Sequence, residues 1–214
     1  MSNIIKCDLN NYDVSVVDDA RRILMSCGTL IMPTDSVYGI GCAAFAHNEA
    51  KANIFKIKKR PATQTLPWLI SDIEDINKWA ESVPEWAMVL ARRWWPGALT
   101  LVVKASSKVD SEFTLDDGTI ALRVPNCNLV RDIIREVGYP LATTSANTHG
   151  LPAANTSRDL EEEIVSQADL TIMAGDTICH DASTIVKCVD DTPVIIREGA
   201  ISASDIWEVI DECK

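Results

Sequence analysis

Several functional classes need features that this chain lacks. Its 214 residues hold no uncharged apolar run near the roughly 20 residues that span a bilayer. The opening Met1-Ser2-Asn3-Ile4-Ile5-Lys6-Cys7-Asp8 lacks the basic-then-apolar order of a signal peptide, so no membrane association is expected and the location is read as cytoplasmic. His47, His149 and His180 lie about 30 or more residues apart, which excludes a local histidine-based metal motif. The seven cysteines are odd in number and form no C-x-x-C, so reduced thiols are expected rather than a disulfide framework. Cys179-His180-Asp181 reads as loop, because adjacent side chains rarely reach one locus. G-x-x-x-x-G-K-[ST], G-x-G-x-x-G and G-x-S-x-G are all missing, which removes a P-loop, a Rossmann fingerprint and a nucleophile elbow. Positive charge is also scarce. Twenty basic side chains face 31 acidic ones, a net −11, which argues against a whole-surface binder of nucleic acid or anionic lipid.

What is present describes a globular α/β protein. Hydrophobic residues make up 47% and charged residues 24%, at a length that suits a single domain, read here as residues 1–214. The charge is uneven: residues 151–214 carry 14 acidic and 4 basic side chains, so an anion site belongs in the first 150 residues. Lys51, Lys56, Lys58, Lys59 and Arg60 cluster where a helix from about Asn48 should end before Pro61. Apolar periodicity predicts helices at 14–27, 72–80, 84–94, 128–137, 157–167 and 202–212. Strands are predicted at 4–7, 29–32, 37–42, 66–70, 98–103, 119–124, 140–144, 169–173, 183–189 and 193–197. This alternation implies one mixed sheet with flanking helices.

Three polar islands interrupt apolar strand ends, where α/β folds place ligand sites. They are Pro33-Thr34-Asp35-Ser36-Val37-Tyr38-Gly39, Lys58-Lys59-Arg60-Pro61 and Ser145-Ala146-Asn147. Each alone also reads as a turn or a solvated face. Their order is more informative, together with Trp95-Pro96-Gly97-Ala98-Leu99-Thr100, Ala121-Leu122-Arg123-Val124-Pro125, Ser183-Thr184-Ile185-Val186 and Ile196-Arg197-Glu198-Gly199. These seven spaced blocks, over about residues 10 to 210, resemble the YrdC/YciO family.

The resemblance implies a twisted mixed sheet around a concave, positively lined cavity, and L-threonylcarbamoyladenylate synthase activity. Such an enzyme is a nucleotidyltransferase: L-threonine, bicarbonate and ATP give threonylcarbamoyl-AMP and pyrophosphate, the first half of the t6A modification of tRNA position 37. By this likeness Lys58 and Arg60 bind the triphosphate and carry catalysis. Thr119, Ser145, Asn147 and Arg197 are further ATP contacts, and Thr34, Arg123 and Ser183 are threonine contacts. Mg²⁺ is expected with the triphosphate, held by phosphate oxygens and water rather than by a protein cage. The implied partners are a downstream threonylcarbamoyl-transfer complex and tRNA or double-stranded RNA; the alternative function is RNA binding without catalysis. Ala153 departs from the family pattern where a serine often stands. A buried arginine costs several kcal/mol unless paired, so Arg123 requires an anion, internal or ligand.

Overall fold

The computed structural model describes residues 3–61, 65–179, 181–190 and 192–212. Its strands are β1 (Asn3–Lys6), β2 (Leu30–Met32), β3 (Gly39–Ala43), β4 (Trp68–Leu69), β5 (Ala80–Glu81), β6 (Leu99–Ala105), β7 (Thr119–Arg123), β8 (Leu141–Ser145), β9 (Leu170–Met173), β10 (Thr184–Lys187) and β11 (Val194–Arg197). The helices are α1 (Val14–Met25), α2 (Ala50–Ile57), α3 (Ile76–Trp79), α4 (Glu85–Trp94), α5 (Asn128–Val137), α6 (Glu162–Gln167) and α7 (Ala203–Asp211). Local chemistry explains several ends. Asp13 caps α1 by accepting from the Ser15 amide, Ser202 caps α7 through the Asp205 amide, and Gly138 stops α5 in the left-handed conformation.

The predicted helix at 157–167 starts only at Glu162. Before it, Asp159 accepts from the Thr156 amide and Glu161 accepts from both the Thr148 amide and hydroxyl, so side chains satisfy groups outside a helix. The predicted helix at 72–80 is a 3₁₀ turn, Ile73–Asp75, followed by the four-residue α3. Ala80 then enters β5, a two-residue strand paired with β6 and too short to signal itself in sequence.

The described strands form one mixed sheet in the order β1-β9-β2-β3-β8-β4-β7-β6-β10-β11, with β5 beside β6. Strand alternation sends side chains to two cores. Tyr38, Ile40, Trp68, Leu101 and Leu122 join residues of α2, α3, α4, α6 and α7 on one face. Leu30, Met32, Ala43, Leu69 and Leu141 pack with α1 and α5 on the other. The helical cover of this second face gives out past Leu69. Its neighbour on β7 is Arg123, and there the face turns polar.

Register specifies what occupies that polar stretch. Leu122 pairs with Leu101, and both point into the first core, so Arg123 and Thr100 point to the opposite face. Thr100 pairs with Ile185, and Ile185 with Arg197. A bulge in the β10–β11 ladder makes this last pairing: Val186 faces Ile195, and the skipped residue brings Arg197 rather than Ile196 opposite Ile185. Strands β7, β6, β10 and β11 thereby carry a transverse row of Arg123, Thr100, Ile185 and Arg197.

The first core is built around Trp68, 1% exposed, with the rings of Trp79 and Phe113 meeting it edge-on at 5.3 Å each. Trp68, Trp79 and Trp95 are buried, while Trp207 stays partly exposed. Trp68→Ala should destabilise the protein by about 3–5 kcal/mol, measured by denaturant unfolding, because aromatic truncation loses both transfer energy and packing.

Candidate active site

The turn from Pro33 to Tyr38 links β2 to β3 and is closed by its own side chains. The Thr34 hydroxyl donates to the Val37 carbonyl at 2.7 Å, accepts from the Ser36 and Val37 amides, and lies 3.0 Å from the Ser36 hydroxyl. One proton and two lone pairs are then fully used. Thr34, expected to touch threonine, is committed here to shaping the turn.

The turn delivers Asp35 and Ser36 to Arg123. Asp35 Oδ1 accepts from Arg123 Nη2 at 2.6 Å, Ser36 Oγ from Nη1 at 2.8 Å, and the Gly97 carbonyl from Nε at 2.9 Å. Of the two anions that Arg123 could have required, the internal one is present. Arg123 closes β7 rather than sitting mid-strand. β8 and β4 separate β3 from β7 in the sheet, a lateral gap of roughly 14 Å for three strand spacings. The turn therefore crosses the sheet face to reach its partner.

Ser183 and Arg197 complete this group. The Ser183 hydroxyl lies 2.8 Å from that of Thr100, and its carbonyl accepts from Arg197 Nε at 3.2 Å and Nη2 at 2.8 Å. Burial first, then the nearby Arg123 charge, push the Arg197 guanidinium below its ordinary range. Gly199 is required beside them: a Cβ there would lie 2.1 Å from the Ala182 carbonyl oxygen. Sequence reasoning missed Thr100, although alternation with the apolar Leu99, Leu101 and Val103 marks it as facing away from the core. It read Asp35 and Ser36 only as turn formers.

A second group assembles where β8 ends. Lys58, at the C-terminus of α2, is 2% exposed, and its ammonium donates to the backbone carbonyls of Ser145 and Asn147 at 2.5 Å each, with Asn147 Oδ1 at 3.4 Å. In return the Lys58 carbonyl accepts from the His149 amide. Burial, then the charge of Arg60, push this ammonium down to about 8, with Glu161 pulling the other way. Asn147 donates both amide hydrogens within its own loop, to the Thr148 and Leu151 carbonyls. Arg60 donates to the Thr144 hydroxyl at 3.1 Å and stands over the Phe55 ring. Two residues expected to touch ATP, Lys58 and Asn147, thus build the loop that also bears Ser145. The two groups adjoin, since the Ala146 amide donates to the Tyr38 carbonyl at the end of the turn.

Thr119 starts β7 on the same face as Arg123, four residues before it, or about 13 Å along the strand. Its hydroxyl donates to Asp117 at 2.6 Å. Cys179 supplies only its backbone amide, to the Asp35 carbonyl, and burial pushes its thiol up; His180 lies outside the described residues. Among the described residues no three His, Cys, Asp or Glu side chains converge to hold a metal, and neither Lys58 nor Arg197 forms a salt bridge. A cavity of about 360 Å³ lined by His47, Lys51, Phe55 and Glu112 contains none of the predicted site residues.

Asn147→Ala removes two donors to loop carbonyls and one oxygen near Lys58. It should cost about 1–3 kcal/mol and speed amide exchange selectively in residues 145–151. Hydrogen exchange read by mass spectrometry distinguishes this from global loosening.

The Sua5_yciO_yrdC family model, described as telomere recombination, matches residues 22–199. A threonylcarbamoyl-AMP synthase of Pyrococcus abyssi is 34% identical over 182 residues, covering 85% of this chain and 53% of that protein. A putative threonylcarbamoyl-AMP synthase of Mycobacterium leprae is 34% identical over 210 residues, covering 98% of this chain and 94% of that protein. The crystal structure of P. abyssi Sua5 complexed with L-threonine superimposes with a TM-score of 0.89 at 29% identity, over 99% of this chain and 61% of that one. This chain thus spans little more than half of the Pyrococcus protein and nearly all of the mycobacterial one. The mixed sheet, the seven sequence blocks and these matches agree that the chain belongs to the Sua5/YrdC/YciO family.

Proposed function

We propose that this protein makes threonylcarbamoyl-AMP from L-threonine, bicarbonate and ATP, releasing pyrophosphate, as the first half of tRNA t6A37 formation. The observation that carries the reading is the set of polar side chains on one sheet face, Arg123, Thr100 and Arg197 with Ser183 between the last two, adjoining the basic group of Lys58 and Arg60. Relatives that bear the synthase name, and a family structure holding L-threonine, support it.

The chemistry asks little covalent help of a protein. The threonine amine and bicarbonate lose water to form a carbamate. Its oxygen then attacks the α-phosphorus of ATP, and the bond to the β-phosphate oxygen breaks. What the protein must supply is alignment and neutralisation of the leaving pyrophosphate. Arg123 keeps one N–H on each terminal nitrogen for the amino-acid carboxylate, while Ser183, with Thr100 behind it, offers a hydroxyl to the threonine side chain. Thr34 acts through the turn that it closes.

Arg60 takes the triphosphate by its planar fork, and Lys58 joins by exchanging a carbonyl partner for a phosphate oxygen. Ser145 and Asn147 at the end of β8, and Arg197 in the row on β11, are the further ATP contacts of this reading. Thr119, about 13 Å along β7 from Arg123, suits the far end of a nucleotide lying along that strand. Mg²⁺ carried by the triphosphate would supply charge neutralisation, held by phosphate oxygens and water rather than by side chains of this chain. Transfer of the threonylcarbamoyl group to tRNA falls to a separate partner. No helix of the described chain is long and apolar enough to cross a membrane.

Purified protein with ATP and Mg²⁺ should release pyrophosphate only when L-threonine and bicarbonate are both present, with the adenylate identified by mass spectrometry. Release that ignores threonine would reject the reading. Arg60→Ala should lower turnover by about 100-fold or more while the fold persists, because a charge aligned with the leaving group is lost.

Lys58 adds a pH signature. Its lowered value means that the free protein sheds this proton as pH rises through about 8, whereas a bound polyanion favours the charged form. ATP binding near pH 8.5 should therefore take up a proton, and affinity should fall as pH rises past 8. Calorimetry in buffers of different ionisation enthalpy reads the uptake, which Lys58→Ala should abolish.

A further inference from the structure

The mechanism leaves one buried charge without a task. Asp35 is 2% exposed, and only one of its carboxylate oxygens is used: Oδ1 holds Arg123, while Oδ2 is buried with no hydrogen-bond partner. A half-satisfied buried carboxylate is a poor stabilising device, since well-packed apolar residues do as well or better. Its value must lie in geometry.

Accessibility separates the two partners. The Asp35 side chain is 1% exposed and that of Arg123 8%, so of the two the guanidinium side chain lies nearer to solvent and the carboxylate behind it. Three acceptors from two separate segments, Asp35 and Ser36 in the turn and Gly97 before β6, fix all three nitrogens of Arg123. This leaves one N–H on each terminal nitrogen, the fork that a carboxylate accepts bidentately. Arg197 lies near enough that, after burial, the charge of Arg123 helps push its guanidinium below the ordinary range. Two guanidiniums that near one another repel, and Asp35 is the counter-charge that lets both remain on one face.

We propose that Asp35 is a positioning residue for the amino-acid subsite: through Arg123, and without touching ligand, it sets the guanidinium that receives the substrate carboxylate. The proposal rests on the synthase reading given above and adds to it a residue that governs affinity for the amino acid but not for the nucleotide.

The test pairs Asp35→Asn, which keeps shape and an acceptor but removes the charge, with two ligands. L-threonine carries the carboxylate, and L-threoninol lacks it. Binding of each, and of ATP, is measured by calorimetry or ligand-observed NMR, alongside the steady-state KM for threonine and kcat. Asp35→Asn should weaken L-threonine by about 10- to 100-fold, the loss expected when a charge-assisted contact is misaligned, and raise its KM accordingly. L-threoninol and ATP should bind within about twofold of wild type, and thermal unfolding should not fall in proportion to the lost affinity.

Equal loss for threonine and threoninol would overturn the proposal, since the effect would not act through the carboxylate. So would a folded Asp35→Asn protein that binds threonine like wild type. Wild-type protein that binds ATP but not L-threonine would instead overturn the synthase reading, and the proposal with it. Should Asp35→Asn fail to fold, Ser36→Ala removes the acceptor on the other terminal nitrogen. It should raise the threonine KM several-fold with ATP binding unchanged, and an unchanged KM would overturn the role of the turn.

Discussion

A guanidinium at the end of a β-strand and out of water has to meet a counter-charge, and here that requirement ties the polar face together. Arg123 cannot be left unpaired without a cost that rivals the whole stability of a domain. Among the described residues the counter-charge comes from the turn between β2 and β3, which crosses the face to place Asp35 at 2.6 Å. The same turn fixes Tyr38, whose backbone accepts from Ala146 and donates to Ala154, and whose hydroxyl accepts from the Ala174 amide. One ion pair thus locates the turn, the loop after β8 and the segment after β9 relative to one another.

The second group obeys a different rule. Among the described residues Lys58 has no carboxylate against its ammonium, and two carbonyls with one amide oxygen stand in for it. Neutral oxygens solvate a cation without cancelling its charge, and burial pulls its proton affinity down. A chain of net −11 can in this way keep a local site for a polyanion. The acidic surplus belongs to residues 151–214, and Lys58 and Arg60 lie outside that stretch.

In the synthase reading proposed above, the two groups divide the work that an adenylate-forming site needs. Arg123 and its neighbours form a rigid receptor, with hydroxyls and guanidiniums in register across four strands. Lys58 and Arg60 stand instead at a helix end, beside a loop whose backbone is held by side chains. A fixed receptor suits a small zwitterion whose carboxylate, amine and hydroxyl must be told apart.

Much of this was legible in the chain. Period-2 and 3.6-residue patterns placed nearly all the strands and helices, because burial of one face dictates those periods locally. The residue types at the polar islands already offered an anion site, alongside turns and a solvated face. What the sequence could not decide was which atoms those residues would spend on one another. Thr34 and Asn147 look free on the page and are used up within their own loops; Thr100 looks like one more strand residue and stands in the row. Arg197 reaches that row only because a bulge between β10 and β11 skips a residue, and no local pattern at Ile195-Ile196-Arg197 reports it. Pairing of Asp35 with Arg123 spans 88 residues and two intervening strands, so it exists only once the sheet has formed. The chain by itself determined its elements, its family blocks and the chemistry on offer. Only the tertiary structure decided who neutralises whom, because a buried charge is answered by whatever the fold brings within hydrogen-bond reach.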